Sequence, residues 1–463
     1  MAESNRYDVA IIGGGPAGYV GAIRASQLGL SACVIEKDKP GGVCLNMGCI
    51  PSKALIHEAE SFMGLEHLES LGVKVDLSSF DYSKVYAKSR KAANTLSKGV
   101  NFLLKKNKVD LIVGTGRLSA PNRIMVDDDK SIEARQILVA TGSRPVELKP
   151  FPFDGTYVLS SDGALMLKAL PSSLIILGGG VIGCEFAHIM NAFGVKVTIV
   201  EMLDRILPME DADASEVLRR AFKKRGVDMH TGTRAISMAK TDAGVALTVE
   251  KNGTQSALTA EKMLVVVGRR PNTENLGLEE LGIFLDKGFI RVGDFHETNV
   301  KGVYAAGDVT ASPLLAHVAS KEAEIAVEAM AGLNPQPVVA PDEIPSAVYT
   351  DPQVASFGLT EAKAEETGIP YKTAAFPYRG AGKSVAIEKP EGIVKIVFDP
   401  ETHEILGAQV AGTEATEIIH ELLLAKTAEL LPEDIANMIH AHPTISESVM
   451  EAARAAEGWA IHA

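Results

Sequence analysis

The chain has 463 residues, too many for a single hydrophobic core, so two to four domains are expected. Its 46% apolar and 23% charged residues are the balance of a soluble globular protein. A net charge of −13 argues against nucleic acid or an anionic membrane as a partner, and no apolar run approaches the ~20 residues of a spanning helix.

Residues 1–8 read as leading straight into a strand over 7–12, so no signal or transit segment is expected. With only four cysteines in the chain, this points to a reducing, cytoplasmic compartment, where a disulfide is normally catalytic. The turn Gly13-Gly14-Gly15-Pro16-Ala17-Gly18 follows, then a helix over 19–28 and a strand over 31–36. Cys44 and Cys49 come next, within the segment 41–53, and an amphipathic helical stretch covers 82–107. A short β-rich region closes on 136–143. The opening pattern then returns about 165 residues on, with a strand over 173–177, the turn 178–183, a helix over 184–193 and a strand over 195–201. Further strands are expected over 263–268 and near 300–309, and a long helix over 314–331. From about Pro341 strands (347–357, 392–398, 405–410) mix with helices (414–430, 433–438, 447–456).

The fold class is therefore α/β, with two Rossmann-like dinucleotide-binding domains (1–143 and 144–270), a central domain (271–342) and a C-terminal α+β domain (343–463). A lone Gly-x-Gly-x-x-Gly is weak evidence. Here each copy follows a strand, opens a helix and has an acidic residue ending the next strand. Gly13 permits the tight turn, Gly15 lets backbone approach a pyrophosphate, and Gly18 lets helix pack on strand; Gly178, Gly180 and Gly183 repeat the logic. Glu36 and Glu201 are placed to accept ribose hydroxyls. A carboxylate at 201 repels a 2′-phosphate, so the second site reads as NAD rather than NADP.

Cys44 and Cys49 lie just beyond the first of these units, where a bound cofactor can exchange electrons with a dithiol. Residues five apart in a helix are about 7.5 Å apart along its axis and point in different directions, whereas a disulfide needs Cα atoms within roughly 7 Å. The backbone between them must bend, and Gly48 absorbs this most cheaply. Two inert buried thiols are the alternative; zinc fits worse, since no second cysteine pair is near, and no metal is expected. Cys33 and Cys184 read as packing residues.

With both glycine turns and the cysteine pair, the chain resembles the pyridine nucleotide–disulfide oxidoreductases from end to end. Segments 41–53 and His440-Ala441-His442-Pro443-Thr444-Ile445-Ser446-Glu447 resemble the dihydrolipoamide-oxidising branch that serves 2-oxo acid dehydrogenase complexes. The resemblance implies FAD at the first turn (Gly13, Gly15, Pro16, Ala17, Gly18, Glu36), with Gly116, Thr141, Gly142, Ser143, Asp308, Leu314, Leu315, Ala316 and His317 also against it. It implies NAD at Gly178, Gly180, Val181, Ile182, Gly183, Glu185, Glu201 and Gly268, and a Lys53–Glu185 ion pair beside the flavin. It further implies a homodimer whose C-terminal dimerisation domain completes the partner's active site. The lipoyl domains and peripheral-subunit-binding region of such a complex would be further partners. A dithiol substrate needs a proton acceptor; histidine is poised for this near neutral pH. By position that base is His442, oriented by Glu447, with His440 structural or supportive. The chain departs from the family at Met47, where valine is commoner. Glutathione-type and mycothione-type reductases are rivals, the first disfavoured by Glu201. A mercuric reductase would add a C-terminal cysteine pair that 457–463 lacks, and a non-catalytic flavoprotein would not need the Cys44, Cys49, His442 and Glu447 set.

Overall fold

In the computed structural model, which describes residues 6–337 and 339–462, the strand Arg6–Ile12 sits at the centre of a parallel sheet. Residues 1–5 of the start, and Ala463 at the end, lie outside the described residues. Ala32–Glu36 pairs on one side and Lys130–Val139 on the other, with Asp110–Val113 and Val303–Ala305 extending the parallel array. Lys130–Val139 also pairs antiparallel with Arg123–Val126, which pairs with Gly116–Ala120. Alternate side chains of these strands enter opposite cores. Val9, Ile11, Val34 and Leu138 join one, while Ala10, Ile12, Cys33, Ile35 and Val139 join the other. Both faces are covered, which is why the strands read as unbroken apolar runs. Cys33 is core, its thiol pushed up to about 12 by burial.

This sheet belongs to a compact unit gathering the described residues of Met1–Leu55, Ser83–Val146 and Gly268–Val339. A second unit gathers those of Ile56–Tyr82, Glu147–Val267 and Ala340–Ala463. It repeats the βαβ pattern, with Ser173–Leu177 central, flanked by Lys196–Val200 and Lys262–Val265, all parallel. An antiparallel meander of Arg234–Thr241, Gly244–Lys251 and Thr254–Ala260, absent from the sequence expectation, packs Val245, Leu247 and Val249 against Ile175, Leu177 and Val265. Its second hairpin turns at Asn252-Gly253, both with positive φ (52° and 75°), the mark of a type I′ turn. The helix Ala212–Lys224 was likewise not expected.

The C-terminal part of this unit is a five-stranded antiparallel sheet with a core shared by Ala415–Thr427, Pro432–Asn437 and Glu447–Ala456. The stretch 347–357, expected as one strand, is two antiparallel strands, Ser346–Val348 and Gln353–Gly358. Pro352 has no N–H for the ladder, so the chain turns there. An edge strand, Lys372–Pro377, was not foreseen. The helices Pro16–Gln27 and Val181–Ala192 begin three residues before the expected 19 and 184, because the last glycine of each turn lies inside the first helical turn. The later helix spans Ala316–Met330, leaving Leu314 and Leu315 outside it.

Candidate active site

The two glycine turns share one geometry. Gly13 has φ +104°, and a Cβ there would fall 2.3 Å from Ala140 O; at Gly18 it would fall 1.8 Å from Gly13 O. In the second turn Gly178 has φ +112° with a Cβ 2.5 Å from Val266 O, and at Gly183 it would lie 2.0 Å from Gly178 O. The middle glycines differ in kind. Gly15 has only Gly42 Cα near, at 3.9 Å, and Gly180 has nothing within 4 Å. Outer glycines are dictated by the chain's own packing, whereas the middle ones keep clear the space ahead of a helix end. Neither helix has a side-chain cap, so first-turn amides remain available. A pyrophosphate fits such a cradle at both turns.

The acidic partners repeat this symmetry. Glu36 accepts the Gly14 N–H at 2.7 Å and the Asp38 N–H at 2.8 Å. Glu201 accepts the Gly179 N–H at 2.7 Å and the Leu203 N–H at 2.8 Å. Each carboxylate is thereby fixed at its turn with lone pairs left for sugar hydroxyls. Val181 opens the second helix at its exposed N-terminus, with Ile182 following. Cys184, fully buried, donates to Gly179 O at 3.3 Å and braces the turn. Glu185, buried on the same helix, accepts the Tyr349 N–H at 3.1 Å. Lys53 belongs to the other unit, as does Gly268, which follows Lys262–Val265.

The cysteine loop lies on the first turn. Gly41 donates its N–H to Gly14 O at 2.8 Å, and a Cβ on Gly42 would sit 2.6 Å from Gly15 Cα. The helix Gly42–Met47 carries Cys44, Gly48 breaks it at φ −150° and ψ −116°, and Cys49 opens the helix Cys49–Ser70. Both cysteines are thiols in this structure, Cys44 half-buried and Cys49 exposed. A hydrogen bond with Cys49, then burial, pushes the Cys44 thiol above its ordinary range, against the opposing charge of Lys53. Downstream of the break, Ser52 donates both its N–H and its hydroxyl to Gly48 O.

The expected flavin positions are tied together by the chain's own packing and hydrogen bonds. Gly116 lets three γ2 methyls, of Ile12, Ile35 and Ile124, close to 3.1–3.4 Å of where a Cβ would be. Thr141 donates to Asn272 O at 2.6 Å, and Gly142 O accepts the Asn272 N–H. Ser143 donates its hydroxyl to Asp308 at 2.5 Å and accepts from Arg269 Nε at 2.7 Å, while Arg269 also reaches Ser143 O. Arg269 was missed from sequence. The run Arg269-Arg270 does not say which arginine turns inward, and only Arg269 does. Glu322 was missed too. It is 3% exposed and accepts the Gly307 N–H at 2.7 Å, fixing the turn that presents Asp308; burial raises its carboxyl pKa. Leu315 precedes the helix that Ala316 opens, and His317 is exposed on its first turn.

In the second unit His442 Nδ1 meets Glu447 Oε1 at 2.9 Å, and Glu447 Oε2 accepts the Thr444 N–H at 2.8 Å. Burial opposes ionisation of Glu447, but the Thr444 N–H and His442 outweigh it and hold the carboxyl below its usual range. The imidazole is 76% exposed, held on one side and open on the other. His440 is different. Its side chain is 3% exposed and its Nε2 pairs with Glu421 at 2.7 Å, which raises its pKa. Among the described residues no group of three or more His, Cys, Asp or Glu is placed to hold a metal ion, and no helix is long and apolar enough to cross a membrane.

Residues 7–323 match the pyridine nucleotide-disulphide oxidoreductase family, and residues 344–453 match that family's dimerisation domain. The chain is 42% identical to a dihydrolipoyl dehydrogenase of Bacillus subtilis, covering 99% of this chain and 100% of the relative. It is 41% identical to the dihydrolipoyl dehydrogenase of Zymomonas mobilis, over 99% and 100% of the two chains. Among solved structures it is similar to LpdA of Mycobacterium tuberculosis, with a TM-score of 0.89 and 32% identity over 97% of this chain and 99% of that one.

Proposed function

The chain belongs to the pyridine nucleotide-disulphide oxidoreductase family, and from that premise we propose that it acts as a dihydrolipoamide dehydrogenase, oxidising dihydrolipoamide and reducing NAD⁺ to NADH. The observation that carries this reading is the cysteine pair astride the break at Gly48, on a loop hydrogen-bonded to the first glycine turn. FAD at the first turn would be held by Gly13, Gly15, Gly18, Glu36 and the Asp308 turn, and NAD at the second by Gly178, Gly180, Gly183 and Glu201. When bound, FAD supplies a two-electron relay between the dithiol and the nicotinamide.

The chain's own residues do the thiol chemistry. His442 of the partner subunit, with Glu447 fixing its tautomer, takes the proton from one substrate thiol. The resulting thiolate attacks Cys44 Sγ of the Cys44–Cys49 disulfide, and Cys49 leaves as thiolate. The second substrate thiol attacks the sulfur now joined to Cys44. Lipoamide is released with its disulfide closed, and both cysteines are left reduced. The dimerisation-domain match supports the dimer this requires. A lipoyl domain of a 2-oxo acid dehydrogenase complex, or a glycine cleavage carrier, would deliver the substrate in the cytoplasm, with the complex's peripheral-subunit-binding region anchoring the dimer.

The test is a steady-state assay of the purified yellow protein with dihydrolipoamide and NAD⁺, beside glutathione disulfide and NADPH. Turnover of the first pair alone supports the reading. Preference for the second pair replaces it with a glutathione-type reductase, against which Glu201 stands.

A further inference from the structure

We propose that Arg90 is a positioning residue for the redox pair, clasping the backbone just before the break that sets the Cys44–Cys49 separation. The helix that carries Cys44, Gly42–Met47, has six residues. A helix this short does not hold its own shape. Its form therefore depends on what grips it. Within the loop, the Asn46 side chain reaches Pro40 O at 3.2 Å and Gly42 O at 3.0 Å. Past the break, Ser52 holds Gly48 O. From outside, the long helix Tyr82–Lys106 supplies two contacts seven residues apart on one face. Ser97 donates to Pro40 O at 2.8 Å, and Arg90 Nη1 donates to Asn46 O at 2.8 Å.

Arg90 is the contact at the break. The same nitrogen lies 3.7 Å from the sulfur of Met47. Its guanidinium stands 5.9 Å from the ring of Tyr86, one turn earlier, which limits its orientations. A cation at this end also complements the negative pole of the short helix. With Arg90 in place the two sulfurs are presented to each other by a fixed backbone. Without it the upstream flank loosens, the two thiols meet less often, and the disulfide forms less readily relative to the dithiol.

The inference rests on Cys44 and Cys49 being the redox pair, and the test separates the two. Holoenzyme is equilibrated in buffers of reduced and oxidised dithiothreitol; each oxidised dithiothreitol that closes the protein disulfide becomes one reduced molecule. Thiols are then trapped with iodoacetamide and counted by mass. If the parent never loses two thiols at Cys44 and Cys49, the redox reading itself fails. If it does, Arg90→Met should become easier to reduce by about tenfold in the exchange constant, about 30 mV for a two-electron couple. Arg90→Lys, which keeps the charge and one donor, should fall between. Lys91→Met, an exposed neighbour, should match the parent. FAD content and NADH oxidation by an artificial acceptor should stay unchanged in all three. An Arg90→Met midpoint equal to the parent's, or an equal shift in Lys91→Met, overturns the proposal; a loss of thermal stability with no change in midpoint does so as well.

Discussion

The two histidines of the C-terminal motif look alike in sequence but differ in what surrounds them. His442 is open to solvent with one nitrogen on Glu447, whereas His440 is enclosed with its Nε2 on Glu421. His442→Gln should therefore cut dihydrolipoamide oxidation by ~10²-fold or more, the scale of a lost general base. NADH oxidation by an artificial acceptor should stay near normal, and Glu447→Gln should cost less. Retained lipoamide turnover in His442→Gln would remove it as the base. His440 is a matter of stability. Its pairing raises its pKa above 6.5, so its contribution is complete below that value and is lost as pH rises through the folded pKa. Parent and His440→Gln should differ more in thermal stability at about pH 6 than at about pH 9; a constant difference would refute the linkage.

At the scale of elements, the duplicated strand–turn–helix units separate glycines required by the chain's own packing from those that leave space open ahead of the helix. Gly183 has no room for a Cβ and Gly180 has open space. Gly183→Ala should destabilise by at least about 1–3 kcal/mol, the range for forced overpacking. Gly180→Ala should unfold within about 0.5 kcal/mol of the parent, as substitutions without lost contacts do, yet raise the KM for NADH. Thermal unfolding and NADH kinetics on the two variants decide this; similar effects of both on stability would deny the distinction. Strong local patterns also located the helices 82–107 and 447–456 to within a residue. The meander over 234–260 carried a readable sign in Asn252-Gly253, and the turn inside 347–357 carried one in Asp351-Pro352, set between the apolar runs 347–349 and 354–357 that read as one strand.

For the whole molecule, the dimerisation-domain match over 344–453 takes in two strongly exposed apolar side chains, one of them next to His440 in the chain. Ile439 is 96% exposed and Leu424 67%. Covered by a second copy, the two would add apolar area to a dimer contact. Ile439→Asp should weaken the dimer, seen by light scattering, and lower lipoamide turnover while sparing NADH oxidation by an artificial acceptor. An active monomer would show that the site is complete in one chain. Mixed dimers of Cys44→Ser and His442→Gln chains should regain one working site in two; if they stay inactive while exchanging subunits and retaining FAD, the site does not cross the interface.

The sequence by itself determined the two βαβ units, the bend at Gly48 and the acids that face each glycine turn. Each of these is local: a glycine where the backbone has no room for a side chain, an acid at a strand end, two cysteines too far apart for one straight helix. Tertiary structure alone decided that Arg269 braces Ser143 across 126 positions, that Glu322 holds the Asp308 turn, and that Arg90 reaches Asn46 across 44. It also decided which of two neighbouring histidines is enclosed. Such partners are chosen by the packing of distant segments, and packing leaves no periodic trace in the chain that could announce which charged side chain turns inward.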